Sequence, residues 1–300
     1  MRWNPMLRVG AAVFAVGLVA AACGQQESLG GGGGQAPEYE VVQDPRFAPG
    51  TTMAELSEAG TIRIGTKFDQ PLFGLRNLDG QMRGFDVEIA KIISGQLGIA
   101  PEDIEWVQSP SAQREDLIER GEVDMVVATY TINDERAQRV SFAGPYYQAG
   151  QILMVRSDNQ EITGPDSLRG SGARVCTVTG STPSENIRPF IEESQLVLFQ
   201  QYSQCRDALG TDQVDVVTTD NVILLGYVAN SEGQFKLVGD TFTEEPYGVG
   251  IPKGDVQFCL FINQALTEAA GTGAYQRAWE ATAGTVAEET PELPELNSCR

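Results

Sequence analysis

The sequence predicts a two-lobed α/β fold in which each lobe is a mostly parallel sheet flanked by helices and a hinge joins the lobes. Two observations lead to this prediction. Strand patterns and helix patterns alternate in two successive cycles, and such alternation produces βαβ units with a sheet covered on both faces. The folded part, about 230 residues long, is large for a single core and suits two lobes.

The first cycle contains three apolar runs typical of strands and two segments with apolar residues at helical spacing. Both helical segments are followed by a glycine, Gly98 or Gly121, which favours helix termination. We expect strands at Thr61–Gly65, Ile104–Val107 and Val123–Ala128, and helices at Asp86–Leu97 and Arg114–Arg120.

The second cycle repeats this alternation without obvious sequence identity, so it predicts repeated architecture and no sequence repeat. We expect one lobe from residues 56–149 plus 245–283 and the other from residues 150–244. The second cycle begins after Gln151–Val155, and in it strands are expected at Arg174–Val178, Leu196–Phe199, Val214–Thr218 and Phe235–Val238, and helices at Ser184–Phe190, Gln204–Leu209 and Asn221–Ala229. The chain then reaches Tyr247–Ile251 and two expected terminal helices, Asp255–Ala270 and Ala274–Ala283.

Two successive α/β lobes imply a cleft, and ligands bind at the carboxyl ends of parallel strands. One such end carries Thr129 and Thr131, an Asn-Asp pair of the kind that opens a helix, and then Arg136. Hydroxyls, helix-end amides and a guanidinium fork together suit the binding of a carboxylate. The alternative is an ordinary strand-turn-helix joint with a surface arginine.

The N-terminus has the pattern of an export signal. Arg2 and Arg8 precede an uncharged run of 14 residues, Val9–Ala22, which is shorter than the about 20 residues that a membrane-spanning helix needs. The run ends in a sequence that resembles a bacterial lipobox, with Cys23 as the lipid-modified residue. We expect residues 1–22 to be a lipoprotein signal peptide and residues 23–55 a flexible glycine-rich tether. This would anchor an exported protein to the outer face of the cytoplasmic membrane; a plain secretory signal or an uncleaved anchor are the alternatives.

The composition excludes several classes of function. The formal net charge is −20, or −22 once the two arginines of residues 1–22 are removed, so neither nucleic acid nor an anionic membrane surface is favoured as a partner. The chain has no histidine, which excludes Ser-His-Asp and Cys-His centres and removes the commonest metal ligand. We expect no metal, no cofactor and no enzymatic activity.

Four cysteines remain besides Cys23, and an even number in an exported chain suggests two disulfides with three possible connectivities. We favour Cys176–Cys205, which falls inside one predicted lobe. The partner pair, Cys259–Cys299, would then pin the C-terminal tail (residues 284–300) to the last helical region. Two buried free thiols are the alternative for the first pair.

Several separate segments over about residues 60–283 resemble the polar amino-acid-binding proteins of bacterial ABC importers, which form extracellular solute-binding protein family 3. The segments are Gly84–Ala90, Thr129–Arg136, Ser141–Tyr147 and Thr218–Asp220. Within the family the chain most resembles actinobacterial glutamate- and glutamine-binding lipoproteins, through Lys67–Pro71, Ser111–Arg114 and Val175–Ser181. The resemblance implies a type II periplasmic-binding-protein fold and a monomeric, lipid-anchored receptor that delivers an amino acid to a membrane permease with a cytoplasmic ATPase.

The resemblance also implies roles for individual residues. Thr129, Thr131 and Arg136 match the clamp for the ligand's α-carboxylate, and Asp220 matches the acceptor for its ammonium in the opposite lobe. The alternative for Asp220 is an N-cap on the helix that begins at Asn221.

Other candidate contacts come from neighbouring positions. Phe85 would lie against the ligand's aliphatic chain, or else belong to the core. The segment Gly180, Ser181 and Thr182 precedes a helix and could bind a second anionic group. The alternative is a turn capped by Ser184.

Side-chain specificity depends on local positive charge, because the protein as a whole is acidic. Lys67 and Arg76 are the candidate cations for a second carboxylate, with ordinary surface exposure as the alternative. Glutamine-specific relatives are less basic near the position of Lys67, which favours glutamate or aspartate here over glutamine or asparagine. Arg114 is expected to begin a helix or to hold its lobe together.

Two other functions remain open. The same fold could serve as a sensor that reports ligand occupancy to a membrane signalling protein. Cyclohexadienyl dehydratase also resembles this fold, and Glu185 or Glu192 would then be the proton donor, although no pattern places either beside the clamp. Asp220 suits an ammonium and would repel the second carboxylate of prephenate.

Overall fold

Three sheets form the framework of residues 37–287 and 289–300, the part of the chain that the computed structural model describes. Two sheets have five strands each and a small third sheet has three. In chain order the strands are β1 (Ile62–Thr66), β2 (Asp69–Gln70), β3 (Gly74–Arg76), β4 (Met82–Arg83), β5 (Ile104–Gln108), β6 (Met125–Val126), β7 (Ser141–Ala149), β8 (Gln151–Arg156), β9 (Val175–Val178), β10 (Leu196–Phe199), β11 (Val216–Asp220), β12 (Phe235–Val238) and β13 (Glu245–Ile251).

Helices flank these sheets. They are α1 (Thr52–Ala59), α2 (Phe85–Gln96), α3 (Arg114–Glu119), α4 (Thr182–Asn186), α5 (Tyr202–Gly210), α6 (Asn221–Ala229), α7 (Val256–Gly271) and α8 (Ala274–Glu280). Short 3-10 turns lie at Pro101–Asp103, Ser111–Gln113, Arg136–Gln138, Pro165–Ser167, Arg188–Phe190, Glu193–Gln195 and Ala283–Thr285. Among the residues described, none of the helices is both long enough and apolar enough to cross a membrane.

The first large sheet has the order β5-β1-β6-β13-β7, and only β13 runs against its other strands. Its parallel strands β1, β5 and β6 need crossover connections, which α2 and α3 supply. Helix α2 buries Ile89 and Ile93 in the core of this lobe, together with Phe258 and Ile262 of α7. The expected apolar helix face is therefore confirmed.

The second large sheet has the order β10-β9-β11-β8-β12, and only β8 runs against its other strands. Helices α4, α5 and α6 follow β9, β10 and β11 in turn, which reproduces the strand-helix alternation of the first sheet. The predicted two-lobed α/β fold with mostly parallel sheets is confirmed.

The chain passes between the two large sheets twice, at Gly150 and at residues 239–244. These crossing segments lie side by side, because the Gln151 N–H donates to Thr243 Oγ1 at 3.0 Å and the Phe242 N–H donates to the Gln151 carbonyl at 3.0 Å. The first sheet takes its strands from residues 62–149 and 245–251, and the second from residues 151–238.

The N-terminal boundary of the folded part differs from the expected one. The signal peptide, Cys23 and the glycine run lie outside the described residues. The tether expected over residues 23–55 is already docked at its C-terminal end, because Tyr39 and Phe47 pack against the core of the first lobe. The Val42 N–H also donates to the Gly95 carbonyl at 2.9 Å, and α1 begins at Thr52.

The segment around the predicted clamp also differs from expectation. The helix expected after Asn133 is a single 3-10 turn, Arg136–Gln138, because β7 already begins at Ser141. Asn133 Oδ1 caps this turn by accepting the Arg136 N–H at 2.9 Å. Strand β6 covers Met125–Val126 only, since Thr129 has a positive φ of 46° that ends the extended run. The clamp segment therefore contributes no α-helix N-terminus.

Both favoured disulfides are confirmed. Cys176 in β9 is bonded to Cys205 in α5, and Cys259 in α7 is bonded to Cys299 in the C-terminal tail. The tail lies on the first lobe, where Leu293 and Leu296 pack against the core.

Candidate functional site

A cleft between the two lobes contains most of the polar residues singled out in the sequence. It lies at the ends of β6 and β11, where the predicted clamp and Asp220 face each other. The residues that line it are Ser111, Arg114, Thr129, Thr131, Arg136, Ser181, Thr182, Pro183, Tyr202, Thr219, Asp220 and Ile223.

Arg136 lies at the junction of the two lobes and is 8% exposed. Its guanidinium donates to the Thr131 carbonyl at 2.7 Å within its own lobe and to the Gly180 carbonyl at 3.2 Å in the other. Glu115 Oε1 lies 3.6 Å from Arg136 Nε. The alternative of a surface arginine is wrong, because the side chain is enclosed by both lobes.

Arg114 is a second buried guanidinium beside Arg136, and it is 3% exposed. The Tyr130 ring lies near both, with its centroid 4.7 Å from the Arg114 guanidinium carbon and 5.1 Å from that of Arg136. The ring's negative face attracts both cations and offsets part of their mutual repulsion. Burial lowers the pKa of Arg114, and the charge of Arg136 adds to this effect. Arg114 begins α3, as expected, and also lines the cleft.

Lys67 is the third buried cation, at 4% exposure. Its Nζ donates to Ser111 Oγ at 2.9 Å, and Arg114 donates to the same oxygen at 2.9 Å. Burial lowers the pKa of Lys67 well below its usual value, and the neighbouring Arg114 lowers it further. The alternative of an exposed surface lysine is wrong. An anion beside Lys67 would favour its protonated form.

Thr129 occupies a strained position that neighbouring side chains support. A positive φ is unfavourable for a β-branched residue and costs of order 1–3 kcal/mol. The Thr129 N–H donates to Asp86 Oδ2 at 2.8 Å, and the Tyr146 hydroxyl donates to Asp86 Oδ1 at 2.7 Å. Burial raises the pKa of Asp86 to about 6, while both donors oppose that rise.

Asp220 faces the cations from the opposite lobe and is 3% exposed. Its Oδ2 accepts the Tyr247 hydroxyl at 2.5 Å, whereas its Oδ1 has no hydrogen-bond partner among the described residues. Asp220 is the N-cap residue of α6, but its side chain makes no capping hydrogen bond. Burial raises the pKa of Asp220 to about 7, and the charge of Glu245 contributes to the rise.

The segment Gly180–Thr182 lies at the junction of the lobes. Ser181, and not Ser184, is the N-cap of α4, since its Oγ accepts the Ser184 N–H at 3.2 Å. A Cβ on Gly180 would lie 2.7 Å from Ala112 Cα of the first lobe, so only glycine fits this close approach. Helix α4 has five residues, and the first-turn hydroxyls of Thr182 and Ser184 already have partners within the protein.

The lobes also touch on the other side of the cleft. The Tyr227 hydroxyl donates to the Asp69 carbonyl at 2.6 Å, and the Ser203 N–H donates to Asp69 Oδ2 at 3.1 Å. A Cβ on Gly226 would lie 2.6 Å from the Pro71 carbonyl oxygen. Contacts on both sides of the cleft correspond to a closed arrangement of the lobes.

Two expected ligand contacts, Phe85 and Arg76, are not among the residues that line the cleft. Phe85 is fully buried in an aromatic cluster, with its ring centroid 5.2 Å from Trp279 and 5.4 Å from Tyr275, because the first turn of α2 points into the core. Arg76 is exposed, and its guanidinium lies 5.5 Å from the centroid of the Phe68 ring instead of lining the cleft.

Several cleft residues were not predicted from the sequence. Ser111, Tyr202 and Thr219 line the cavity, while Glu245 and Tyr247 reach its lining residues from β13. Hydroxyl and carboxylate side chains have no periodic pattern in the sequence. These residues are identified only by their positions in the folded structure, where the two lobes bring them together.

The two carboxylates nominated as proton donors lie outside the cleft lining. Glu185 is at the cleft mouth, paired with Arg188 at 2.9 Å, and its side chain is 68% exposed. The Glu192 side chain is 62% exposed and lies 3.6 Å from Arg169. Neither nomination therefore has support in the geometry.

A family model described as bacterial extracellular solute-binding proteins, family 3, matches residues 62–281. The glutamate-binding protein GluB of Corynebacterium efficiens is 43% identical over 229 residues, which cover 73% of this chain and 78% of that protein. The ABC transporter glutamine-binding protein GlnH of Bacillus subtilis is 35% identical over 269 residues, covering 89% and 93% of the two chains.

Similarity extends to solved structures. An ancestral arginine-binding protein bound to glutamine superposes with a TM-score of 0.69 and 33% sequence identity, over 74% of this chain and 96% of that one. The likeness therefore spans both lobes and the cleft between them.

Proposed function

The chain belongs to the bacterial extracellular solute-binding proteins of family 3, and on that premise we propose that it binds a free amino acid in the cleft between its lobes. The preferred ligand is glutamate or aspartate, and glutamine or asparagine binds less tightly. The protein delivers this ligand to an ABC importer. The observation that carries this proposal is the placement of Arg114 and Arg136 on one side of a buried cleft and Asp220 on the other. Lys67 is buried behind this wall of the cleft and donates to the lining Ser111 hydroxyl.

Opposed charges of this kind suit a zwitterion. The α-carboxylate pairs with Arg136, whose guanidinium lies where the lobes meet. The α-ammonium donates to Asp220, whose Oδ1 is buried and lacks a partner among the described residues. A ligand that touches both lobes binds the closed form best, so recognition and closure are coupled.

The surplus of cations supports an acidic ligand. One guanidinium is enough for the α-carboxylate, and burying two further positive charges without an anion is unfavourable. Lys67 and Arg114 share Ser111 Oγ as an acceptor, and neither forms an ion pair within 4 Å among the described residues. A side-chain carboxylate of the ligand stabilises both. GluB, the 43% identical relative, is by name a glutamate-binding protein.

The remaining cleft groups favour a polar ligand. Arg114 Nε and Asp220 Oδ1 are buried without hydrogen-bond partners among the described residues. Buried polar groups are nearly always satisfied in functional complexes. A ligand with several polar atoms pairs with them, whereas an apolar ligand leaves them unpaired.

A thermal-shift screen of the purified protein against the twenty amino acids tests the proposal, after unfolding and refolding to remove carried-over ligand. A ligand at a hundred times its Kd adds about 2.7 kcal/mol, which is roughly 5–10 °C for a protein of this size. Glutamate or aspartate should give the largest shift. The absence of a shift with every amino acid would exclude this function.

Delivery to a permease and anchoring through Cys23 complete the proposal. The lipobox-like pattern that ends at Cys23 supports the anchor. Deletion of the gene should abolish uptake of the ligand. Normal uptake with altered downstream phosphorylation would instead favour the sensor function.

Binding should weaken as the pH falls through about 7. In the ligand-free protein the pKa of Asp220 is about 7, so below that pH the carboxyl group carries a proton that must leave before it can accept the ammonium. Affinity at pH 6 should be about tenfold lower than at pH 8, and binding should release close to one proton at pH 6 but only about 0.1 proton at pH 8. Calorimetry in buffers of different ionisation enthalpy measures both quantities. A flat affinity with no proton release would remove Asp220 from the ammonium site.

Replacement of Lys67 with methionine should change the ligand preference. The substitution keeps an unbranched, flexible side chain of similar size but removes the cation, so glutamate should lose about 10- to 100-fold in affinity while glutamine loses much less. The exposed Lys253 provides the matched control, Lys253→Met, which should behave as wild type. Equal losses for both ligands would show that Lys67 does not read the side-chain charge.

A further inference from the structure

Glu245 is a buried carboxylate at the start of β13, and neither the clamp nor the ammonium site described above includes it. It is 1% exposed and accepts four hydrogen bonds. We propose that Glu245 is a positioning residue: it turns the hydroxyls of Thr131 and Thr182 into acceptors for the ligand's ammonium and fastens the two lobes in the closed form. The inference rests on the proposed function.

The contacts of Glu245 come from both lobes. Its Oε2 accepts the Thr131 hydroxyl at 2.7 Å from the first lobe and the Thr182 hydroxyl at 2.7 Å from the second. Its Oε1 accepts Asn186 Nδ2 at 2.9 Å from the second lobe and the Thr243 hydroxyl at 3.0 Å from a crossing segment. Glu245 begins β13 of the first lobe, so movement of the second lobe away from it would break the bonds donated by Thr182 and Asn186.

The direction of these hydrogen bonds determines what the cleft offers to a ligand. A hydroxyl has one proton, and an ionised carboxylate can only accept. Thr131 and Thr182 therefore each donate their single hydroxyl proton to Glu245. Their oxygens lie 3.3 Å apart, and both residues line the cleft. Each oxygen can therefore only accept from the ligand. An ammonium has three donors, whereas a carboxylate has none.

This assignment changes the expected role of Thr131. In the sequence pattern Thr131 belongs with Arg136 in the carboxylate clamp, but with its proton held by Glu245 its hydroxyl cannot donate to a carboxylate. The negative end of the cleft is then formed by Asp220, Thr131 and Thr182, with Glu245 behind the two threonines. The negative charge of Glu245 raises the pKa of Asp220, so the two carboxylates interact electrostatically.

The test compares Glu245→Gln with Glu244→Gln, its exposed neighbour, by calorimetric titration of L-glutamate. The glutamine amide has one acceptor oxygen and one donor group, so it cannot accept all four hydrogen bonds: either a threonine turns its proton toward the ligand or the cross-lobe bond donated by Asn186 is lost. We expect Glu245→Gln to weaken glutamate binding by about 10- to 100-fold, as for loss of a hydrogen bond to a charged group, and Glu244→Gln to match wild type. Equal affinities for the two variants would overturn the inference.

A double-mutant cycle separates positioning from general destabilisation. In a Thr131→Ala/Thr182→Ala background, the further loss caused by Glu245→Gln should shrink to about twofold or less, because Glu245 acts through the two hydroxyls. The same fold loss in both backgrounds would contradict the inference. If Glu245→Gln does not fold, Thr182→Val removes one acceptor without changing charge, and unaltered glutamate affinity in that variant would also contradict it.

Small-angle scattering provides a readout of the lobes. The ligand-free Glu245→Gln protein should have a larger radius of gyration than ligand-free Glu244→Gln, and an identical radius would contradict the fastening role. The wild-type titration separates this inference from the function on which it rests. If wild type binds no amino acid, the proposed function fails; if wild type binds and the variants do not differ, only the inference about Glu245 fails.

Discussion

Replacement of Arg136 with alanine should weaken amino-acid binding by at least about 2–4 kcal/mol, or about 30- to 1000-fold. The loss is large because a buried carboxylate of the ligand would be left without its partner. Arg136 also donates to the Gly180 carbonyl across the cleft, so the variant loses a contact that holds the lobes together. Calorimetric titration of L-glutamate measures the change.

Arg139→Ala is the matched control, since Arg139 lies three residues away, is exposed and pairs with Asp116 and Glu119 outside the cleft. It should bind as wild type does. Arg136→Lys should resemble the alanine variant more than wild type, because a point charge does not reproduce the two-pronged guanidinium. If Arg136→Ala and Arg139→Ala bind equally well, the α-carboxylate lies elsewhere.

Replacement of Asp220 with asparagine is the second change with a large expected effect, a loss of about 2–5 kcal/mol in binding. The substitution keeps the shape of the side chain but removes the charge that balances the ligand's ammonium. It also disturbs the hydrogen bond that Asp220 accepts from Tyr247 at 2.5 Å. Titration at pH 8, where the wild-type carboxyl group is mostly ionised, gives the cleanest comparison.

Asp240→Asn removes the same charge from an exposed position in a crossing segment and should not change affinity. Asp220→Asn should also lose the pH dependence between pH 6 and 8 that wild type shows, because the titrating group is gone. Persistence of that pH dependence in Asp220→Asn would assign it to a different group.

Local patterns were sufficient to predict much of the fold. The strands Leu196–Phe199 and Phe235–Val238 and the helix Asn221–Ala229 have the predicted bounds. Each is a short apolar segment bounded by polar or turn-forming residues, so its secondary structure and its bounds are determined by residues close to it in the sequence. The small sheet β2–β4 and strand β7 were not predicted, because their residues have neither clear alternation nor a continuous apolar run.

The site was only partly predictable, because residue type is local but burial is not. Arg76 and Arg114 each lie beside an aromatic ring, yet only Arg114 is buried, because its neighbour Tyr130 is itself enclosed in the core whereas Phe68, beside Arg76, is only half-buried. Phe85 begins a helix, and the sequence of its apolar face does not show whether the first turn contacts a ligand or packs in the core. Glu245 follows another glutamate, and its burial depends on threonines more than sixty residues away in the chain.

The most direct measurement is a crystal structure of the protein with L-glutamate bound. We expect the ligand between the lobes, its α-carboxylate on Arg136, its ammonium on Asp220 and its side-chain carboxylate beside Lys67 and Arg114. A ligand whose α-carboxylate and ammonium contact neither Arg136 nor Asp220, or a cleft that stays free of glutamate at saturating concentration, would contradict the proposed function.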